Sequence, residues 1–560
     1  MTETNDTAVP SFEEACAPLI APGGIFEMVE EDVLGQPMRV FKNRAKSLRE
    51  LLAQSANHGD AEYVVFGDGR RWSYTEHLAD VASVAQALHE EHGIGPGDRV
   101  AILAANSPEW ILTFWATVSL GGVVVAMNGW WAGDEIRYGL ETTKPKLLIA
   151  DRRRLERLEG DDPGVPVLVI EDTFEKLRTY AQGASLPDNP IAEDDPAVVL
   201  FTSGTTGRPK APVLSHRSLI AFVLTSFIIG MARRVIEPQP EGAPGALLAP
   251  FPLFHVSGLF GSTISTLVGG QKTVWPVGRF DPGKVIALTN EEGITNWMGA
   301  STHIYRLLTH PDIETVDTKR FSNVGAAGSA TSPELARAIH ERFPHLSQSV
   351  GSGYGSTESG AIITYASGEM LNAAANCVGP PLPGVEVKII DEEGNEVPEG
   401  EVGIICARSP MVMLEYDNNP EATKETILPG RWLDTGDFGR LENGRVYLES
   451  RLRDMIIRGG ENVYPAEIEN RLEQHPDVAE VAVIGVDDIE LGQEVKAVIV
   501  PRDAVRPDEE SLRDFVAEAL AYFKVPRYFE FRDDPLPRNA TGKVLKHVVA
   551  GEGENIFVEE

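Results

Sequence analysis

Residues 99–128 read RVAILAANSPEWILTFWATVSLGGVVVAMN, two apolar runs with a single helical segment between them. Arg99–Leu103 predicts a strand. Ser107 then caps a helix opening at Pro108, a position where the backbone N–H has no partner to lose and the fixed φ suits the first turn. Gly121 and Gly122 stop that helix, and Val123–Ala126 predicts a second strand. Leu147–Ala150, Val167–Ile170 and Ala197–Phe201 continue the alternation. Short apolar strands joined through amphipathic helices specify a largely parallel sheet covered by helices. The first part of the chain therefore predicts a large α/β domain.

Residues 451–560 change character. Pro465 opens a short helix that His475 and Pro476 end, Glu480–Ile484 and Val495–Val500 predict strands, and Leu512, Phe515, Val516, Ala519 and Leu520 form one helical face. The stretch SRLRDMIIRGGENVYP interrupts the pattern before them. A small α+β domain at 451–560 is expected beside an N-terminal domain at 1–450. Two uncharged stretches, Trp110–Gly133 and Gly242–Gln271, resemble membrane spans in length, but internal glycines and prolines assign both to a buried core.

Lysine plus arginine number 50 and aspartate plus glutamate 84, a formal charge of −34. Such a field repels a nucleic-acid backbone and an anionic membrane. An anionic ligand would need a local cluster of cations. The three cysteines, Cys16, Cys377 and Cys406, lie far apart with no metal or redox spacing, which fits a reducing compartment. The acidic N-terminus, with Glu3, Asp6, Glu13 and Glu14, is unlike a signal peptide. A cytoplasmic location is expected.

The segment FTSGTTGRPKAPVLSHR, residues 201–217, is the strongest chemical signal. A Walker-type phosphate loop needs a helix starting at its lysine. Pro209, Ala211 and Pro212 forbid one at Lys210, so the flanks predict strand, loop, strand (Ala211–Leu214), and then a helix at Ser215. Gly204 and Gly207 leave backbone amides open to an anion, Ser203, Thr205 and Thr206 add hydroxyls, and Lys210 adds charge. By composition alone the segment is equally a solvent loop. Further along, YGSTE (Tyr354–Glu358) offers an aromatic face, hydroxyls and a carboxylate suited to Mg²⁺. DTGD supplies Asp437, able to accept two ribose hydroxyls, and Arg451 and Lys543 are cations in or beside the small domain.

In order along the chain, TSGTTGRPK, YGSTE, TGD, RLRDMIIRGGENVYPAEIE and PRNATGK resemble the motif set of the adenylate-forming superfamily, which contains acyl-CoA synthetases, peptide-synthetase adenylation domains and beetle luciferase. The resemblance spans residues 45–548, and GGENVYPAEIE is most similar to the acyl-CoA ligase branch. It implies the adenylate-forming fold: a large N-terminal α/β domain with a β-rich subdomain, a mobile C-terminal domain, and a site in the crevice between them. It also implies ATP and CoA as co-substrates, Mg²⁺ as cofactor and a carboxylic acid as partner, with a homodimer admitted. By the same resemblance Thr202, Ser203, Gly204, Thr205, Thr206, Gly207 and Lys210 hold the β and γ phosphates. Gly328, Ser329, Ala330, Tyr354 and Gly355 enclose adenine. Thr357 meets the α-phosphate, Glu358 binds Mg²⁺, and Asp437 and Arg451 take the ribose. Lys543 bridges the acid and the α-phosphate. Arg453 is the hinge, and Gly459 and Gly460 line the CoA channel.

His255, in PLFHVSG, reads in isolation as a core histidine. The resemblance moves it to the mouth of an acyl pocket walled by Trp297, Met298, Gly299, Gly325, Ala326 and Gly351, whose small residues imply a medium- or long-chain fatty acid or a bulky acyl group. The chain departs from the family at Ala211, Ser450 and Arg453, where glycine, glycine, and aspartate or lysine are usual. The expected reaction is acid plus ATP to acyl-AMP and pyrophosphate, then transfer of the acyl group to CoA. The alternatives are a fatty acyl-AMP ligase, an amino-acid adenylating enzyme and a non-catalytic nucleotide or acyl-CoA sensor. Against the amino-acid reading, no aspartate near His255 is placed to pair an α-amine.

Overall fold

The computed structural model describes residues 10–202, 209–236, 245–326, 333–346, 351–374, 376–451, 454–458, 461–488, 491–502, 506–539 and 542–552. Two sheets, covered by helices, build the body of the large lobe. The first runs Glu415–Tyr416, Pro212–Ser215, Pro196–Leu200, Val123–Ala126, Arg99–Leu103, Leu147–Ala150, Val167–Val169. Its inner strands are parallel, and Pro212–Ser215 returns antiparallel to Pro196–Leu200. Ser107 caps the helix Pro108–Ser119 through the Trp110 N–H, as its sequence predicts. That helix and the strands it joins are almost wholly buried, so neither apolar stretch flanking Gly121 meets lipid.

The second sheet runs Asn323–Ala326, Ile294–Gly299, Ala246–Leu248, Thr273–Trp275, Glu62–Phe66, Arg71–Ser73. All its pairings are parallel except the last. The helix His216–Ile236 packs Leu219, Ile220 and Val223 into the core under the first sheet and Ala221, Ile228 and Ala232 against Phe12, Tyr365 and Met411. It is the one described helix long and apolar enough to cross a membrane by length and composition. Its start at His216 lies one residue past the expected Ser215, while its apolar length is not expected from the sequence.

An antiparallel sheet follows, ordered Cys377–Gly379, Arg445–Arg451, Trp432–Glu442, Gly403–Arg408, Glu386–Ile390. This is the expected β-rich portion. The small lobe is built on the hairpin Val478–Asp488 with Gly492–Pro501, longer at both ends than its apolar pattern predicts. Tyr528–Phe531 joins it in parallel and the helices Pro465–Leu472 and Glu509–Ala517 cover it. Glu509–Ala517 ends before Leu520, one turn short of the predicted face. The overall plan is mixed α/β with a large N-terminal and a small C-terminal domain.

Candidate active site

The stem of the 201–217 loop is closed by a reciprocal backbone pair. The Thr202 N–H donates to the Lys210 carbonyl at 2.9 Å and the Lys210 N–H donates back at 3.2 Å. A strand–loop–strand arrangement therefore holds, with Lys210 at its returning arm and Ala211 buried behind it. Ser203, Gly204, Thr205, Thr206 and Gly207 lie outside the described residues, as do Gly328, Ser329, Ala330, Arg453, Gly459 and Gly460.

Lys210 extends over the ring of Tyr416, its Nζ 4.8 Å from the centroid. The Tyr416 hydroxyl donates to Glu358 Oε1 at 3.0 Å, and Thr202 Oγ1 donates to the same oxygen at 3.5 Å. Tyr416 thus joins the loop lysine to the YGSTE carboxylate. It is 5% exposed, and burial followed by the Glu358 charge pushes its phenol well above the ordinary value, so the hydroxyl stays protonated and donating. Its segment is stitched in place: the Met413 N–H donates to the Glu358 carbonyl, Leu414 to Val213 and Asp417 to Ala211, each at 2.8 Å. Arg431 donates to the Met413 and Leu414 carbonyls, and Arg99 grips Asp417 with two bonds of 2.6 and 2.8 Å. Sequence reasoning does not find Tyr416, because MLEYDNN contains no run of catalytic residue types. The alternation of the strand pair Pro212–Ser215 and Glu415–Tyr416 is its only local signal.

Glu358 sits in a tight turn that glycine makes accessible. A Cβ on Gly355 would lie 2.5 Å from the Ala361 carbonyl oxygen. The Ser356 N–H donates to Ser359 Oγ and the Ser359 N–H back to Ser356 Oγ, holding Thr357 and Glu358 half-exposed between them. Among the described residues the bonds to the Glu358 side chain fall on Oε1. No three His, Cys, Asp or Glu residues there gather into a metal cage. A single accessible carboxylate is the donor set a magnesium ion takes when phosphate and water supply its other oxygens.

Tyr354, on Ser352–Tyr354, donates its hydroxyl to Asp437 Oδ2 at 2.8 Å, so the aromatic face and the TGD carboxylate adjoin. Asp437 is cross-strand partner of Arg451. Gly351 has a packing reason of its own, since a Cβ there would collide with the Tyr365 hydroxyl.

Around His255, the Phe254 ring lies 4.8 Å away and that of Trp130 6.5 Å away, centroid to centroid, with Trp130 packed edge-on against Phe254. Burial lowers the His255 imidazole to about 4, so it is neutral at working pH. Met298 and Gly325 share one face of their strand pair: a Cβ on Gly325 would lie 2.9 Å from Met298 Sδ. Strand alternation turns Trp297 to the face opposite Met298, where it is fully buried against Phe321 and Phe343, with Nε1 donating to Thr289. Gly299 ends the strand at His303 and Ile304, and Ala326 ends the neighbouring one.

Lys543 lies in a turn whose N–H donates to Asn539 Oδ1 at 2.9 Å and whose carbonyl accepts from Asn539 N–H at 2.8 Å. Gly542 has φ +83°, and a Cβ there would be 2.9 Å from Ala300 Cβ. The small lobe therefore rests its lysine turn on Ala300, next to Gly299. Ile456–Arg458 and Glu461–Val463 flank the Gly459–Gly460 position, and Arg458 pairs at 2.7 Å with Glu494, which has no exposed surface.

The profile of the AMP-binding enzyme family matches residues 51–417, and that of the AMP-binding enzyme C-terminal domain matches residues 467–543. The fatty acid–[acyl-carrier-protein] ligase ScoC of Streptomyces coeruleorubidus is 31% identical over 522 residues, 91% of this chain and 96% of that protein. A feruloyl-CoA synthase from an Amycolatopsis species is 33% identical over 85% of this chain and 93% of its own. The ATP-bound crystal structure of MatB from Rhodopseudomonas palustris superimposes with a TM-score of 0.78 at 30% identity, covering 89% of this chain and 98% of that one. With lysine loop, glutamate turn, tyrosine–aspartate pair and small-lobe lysine in one described structure, the chain belongs to the AMP-binding enzyme family and is an ATP-dependent ligase of the acyl-CoA synthetase kind.

Proposed function

We propose that the protein joins a carboxylic acid of medium to large size to CoA through an enzyme-bound acyl-adenylate. The observation that carries this reading is the seating of the Gly542–Lys543 turn on Ala300, which brings a small-lobe cation to the end of the strand carrying Met298 and Gly299. An attacking carboxylate and an ATP phosphate repel by roughly 4 kcal/mol per charge pair at about 4 Å and an effective dielectric near 20. Lys543 offsets that repulsion by touching both partners, and Lys210 holds the departing pyrophosphate. Tyr354 stacks on adenine and Asp437 accepts from the ribose hydroxyls, with Arg451 beside it. Thr357 donates to the α-phosphate. Glu358 would hold a magnesium ion, which when bound would supply charge neutralisation on the phosphates.

His255 is neutral and half-buried, so it orients the acid at the pocket mouth and adds no charge of its own. After adenylation, residues 451–560 turn about Arg453 and present Gly459 and Gly460 to the pantetheine arm, where the missing Cβ leaves room. CoA sulfur then attacks the acyl carbon, the anhydride C–O bond breaks and AMP leaves.

ScoC transfers to an acyl-carrier protein, which makes that acceptor the second reading. The test is release of pyrophosphate from ATP with a panel of short, medium, long, aryl and polycyclic acids, followed by addition of CoA or of an acyl-carrier protein. Thioester formation with CoA supports the proposal. A thioester formed with the carrier protein alone favours the second reading, and release with no thioester at all leaves an acyl-AMP ligase.

A further inference from the structure

Lys543 is presented by a tight hairpin of the small lobe. The Leu545 N–H donates to the Pro537 carbonyl at 2.8 Å, and Arg538 pairs antiparallel with Val544. At the tip the Gly542 N–H donates to the Asn539 carbonyl at 2.9 Å. Both peptide units flanking the Lys543 Cα are held. In the first, the Lys543 N–H donates to Asn539 Oδ1 at 2.9 Å, while the Gly542 carbonyl accepts from Arg538 Nη1 at 2.8 Å. In the second, the Lys543 carbonyl accepts from the Asn539 N–H at 2.8 Å. A peptide unit is planar, so gripping the first at both ends fixes its orientation. The direction in which the lysine side chain leaves the backbone is fixed with it.

Arg538 carries this hold to the body of the lobe. Its Nη2 donates to Glu480 Oε2 at 2.7 Å, and Glu480 lies on the strand Val478–Asp488, 58 residues earlier in the chain. One guanidinium therefore spans from the sheet to the tip of the hairpin, its planar fork serving a carboxylate and a carbonyl at once, a geometry that the point charge of a lysine does not reproduce. Beyond Lys543 a second ion pair, Lys546 Nζ to Glu469 at 2.7 Å, ties the chain to the helix Pro465–Leu472. Leu536 and Val549 pack with Ala482, Ile484 and Val498. Those contacts dock the segment, whereas the Arg538 bond acts on the peptide that carries Lys543. The brace matters because Gly542, at φ +83°, has no Cβ to oppose rotation of that peptide.

We propose that Arg538, set by Glu480, is a positioning residue for Lys543: it aims the lysine for the attack of the acid on ATP and takes no part in CoA transfer. This rests on the role given to Lys543 above. Arg538 touches no reacting atom. Adenylation needs the Lys543 ammonium within hydrogen-bond reach of both the acid and the α-phosphate, and a misplacement of about 1 Å costs on the order of 100-fold in rate. Thioester formation follows after the small lobe has turned, and makes no demand on the lysine.

The experiment measures the two half-reactions separately on the full-length enzyme, acid-dependent pyrophosphate release and thioester formation from supplied acyl-adenylate. Arg538→Met keeps the aliphatic stem and is expected to lower kcat for pyrophosphate release about 10- to 100-fold, with KM for ATP within about threefold and thioester formation within about twofold of wild type. The same substitution is then made in the Lys543→Ala background. A residue that acts through Lys543 has nothing left to position there, so the second change is expected to cost less than about twofold. An undiminished loss in that background, or an equal loss in both half-reactions, overturns the inference. Should Arg538→Met fail to fold, Glu480→Gln keeps the shape and removes the charge that holds the guanidinium. It is expected to slow pyrophosphate release about 3- to 10-fold and to spare thioester formation, and an unchanged first half-reaction there is equally fatal. Pyrophosphate release at the wild-type rate in Lys543→Ala alone refutes the adenylating role of Lys543 instead, and the inference falls with it.

Discussion

Replacing Tyr416 by phenylalanine removes one oxygen and leaves the ring in place. The lost contact is a 3.0 Å bond from a 5%-exposed phenol to a carboxylate. Hydrogen bonds to charged groups are worth about 1.5–3 kcal/mol, and half-exposed Glu358 can recruit water, so the lower figure applies. At about 1.4 kcal/mol per decade of rate, Tyr416→Phe should slow acid-dependent ATP–pyrophosphate exchange about 10-fold, with a raised magnesium requirement, because Glu358 loses the bond that orients it. Tyr416→Leu also removes the face under Lys210, a cation–π contact worth roughly 0.5–2 kcal/mol, and should cost a further ~3- to 10-fold. CoA transfer from supplied acyl-adenylate should be unaffected in Tyr416→Phe, because the proposed mechanism assigns Glu358 to the phosphates and not to the thiol. Exchange within twofold of wild type, or an equal loss in both half-reactions, would refute the role given to Tyr416.

Lys543→Ala should lower adenylate formation by about 100- to 1,000-fold, the scale for losing one electrostatic stabiliser, and thioester formation from supplied adenylate far less, as separate half-reaction assays would read. Gly460→Leu should spare pyrophosphate release and impair CoA transfer, and single-turnover thioester formation at wild-type rate would count against the channel. Burial holds His77 at about 3 and His216, His255 and His303 at about 4. Unfolding lets each take a proton near 6.5, so the unfolded chain binds more protons between those values and stability falls as pH drops from about 6.5 towards 4, by about 1.4 kcal/mol per pH unit for each histidine engaged. Melting temperatures across that range should show this slope, and His77→Leu should make it shallower by about one proton's worth.

Local signals with a single physical cause were legible. Ser107 and Pro108 mark a helix start whatever surrounds them, and the proline pair around Lys210 excludes a Walker helix before any fold is known. For Trp297 the motif fixes a position along the chain but not the face to which strand alternation turns the side chain. Tyr416 was not legible at all: it matters through Glu358 and Lys210, far off in sequence, and the pairing of Glu415–Tyr416 with Pro212–Ser215 together with its bond to the glutamate turn brings the three side by side. The hairpin Val478–Asp488 with Gly492–Pro501 outran its apolar pattern because its polar ends, Asp487 with Gln493 and Asp488 with Gly492, are paired by the backbone ladder, which needs no apolar side chain.

The central claim is that the acid's own oxygen attacks the α-phosphorus of ATP. A substrate acid labelled with heavy oxygen in its carboxylate, incubated with ATP, magnesium and CoA, should yield AMP carrying one labelled oxygen and unlabelled pyrophosphate. Label recovered in inorganic phosphate or pyrophosphate, or AMP formed without label, would contradict it.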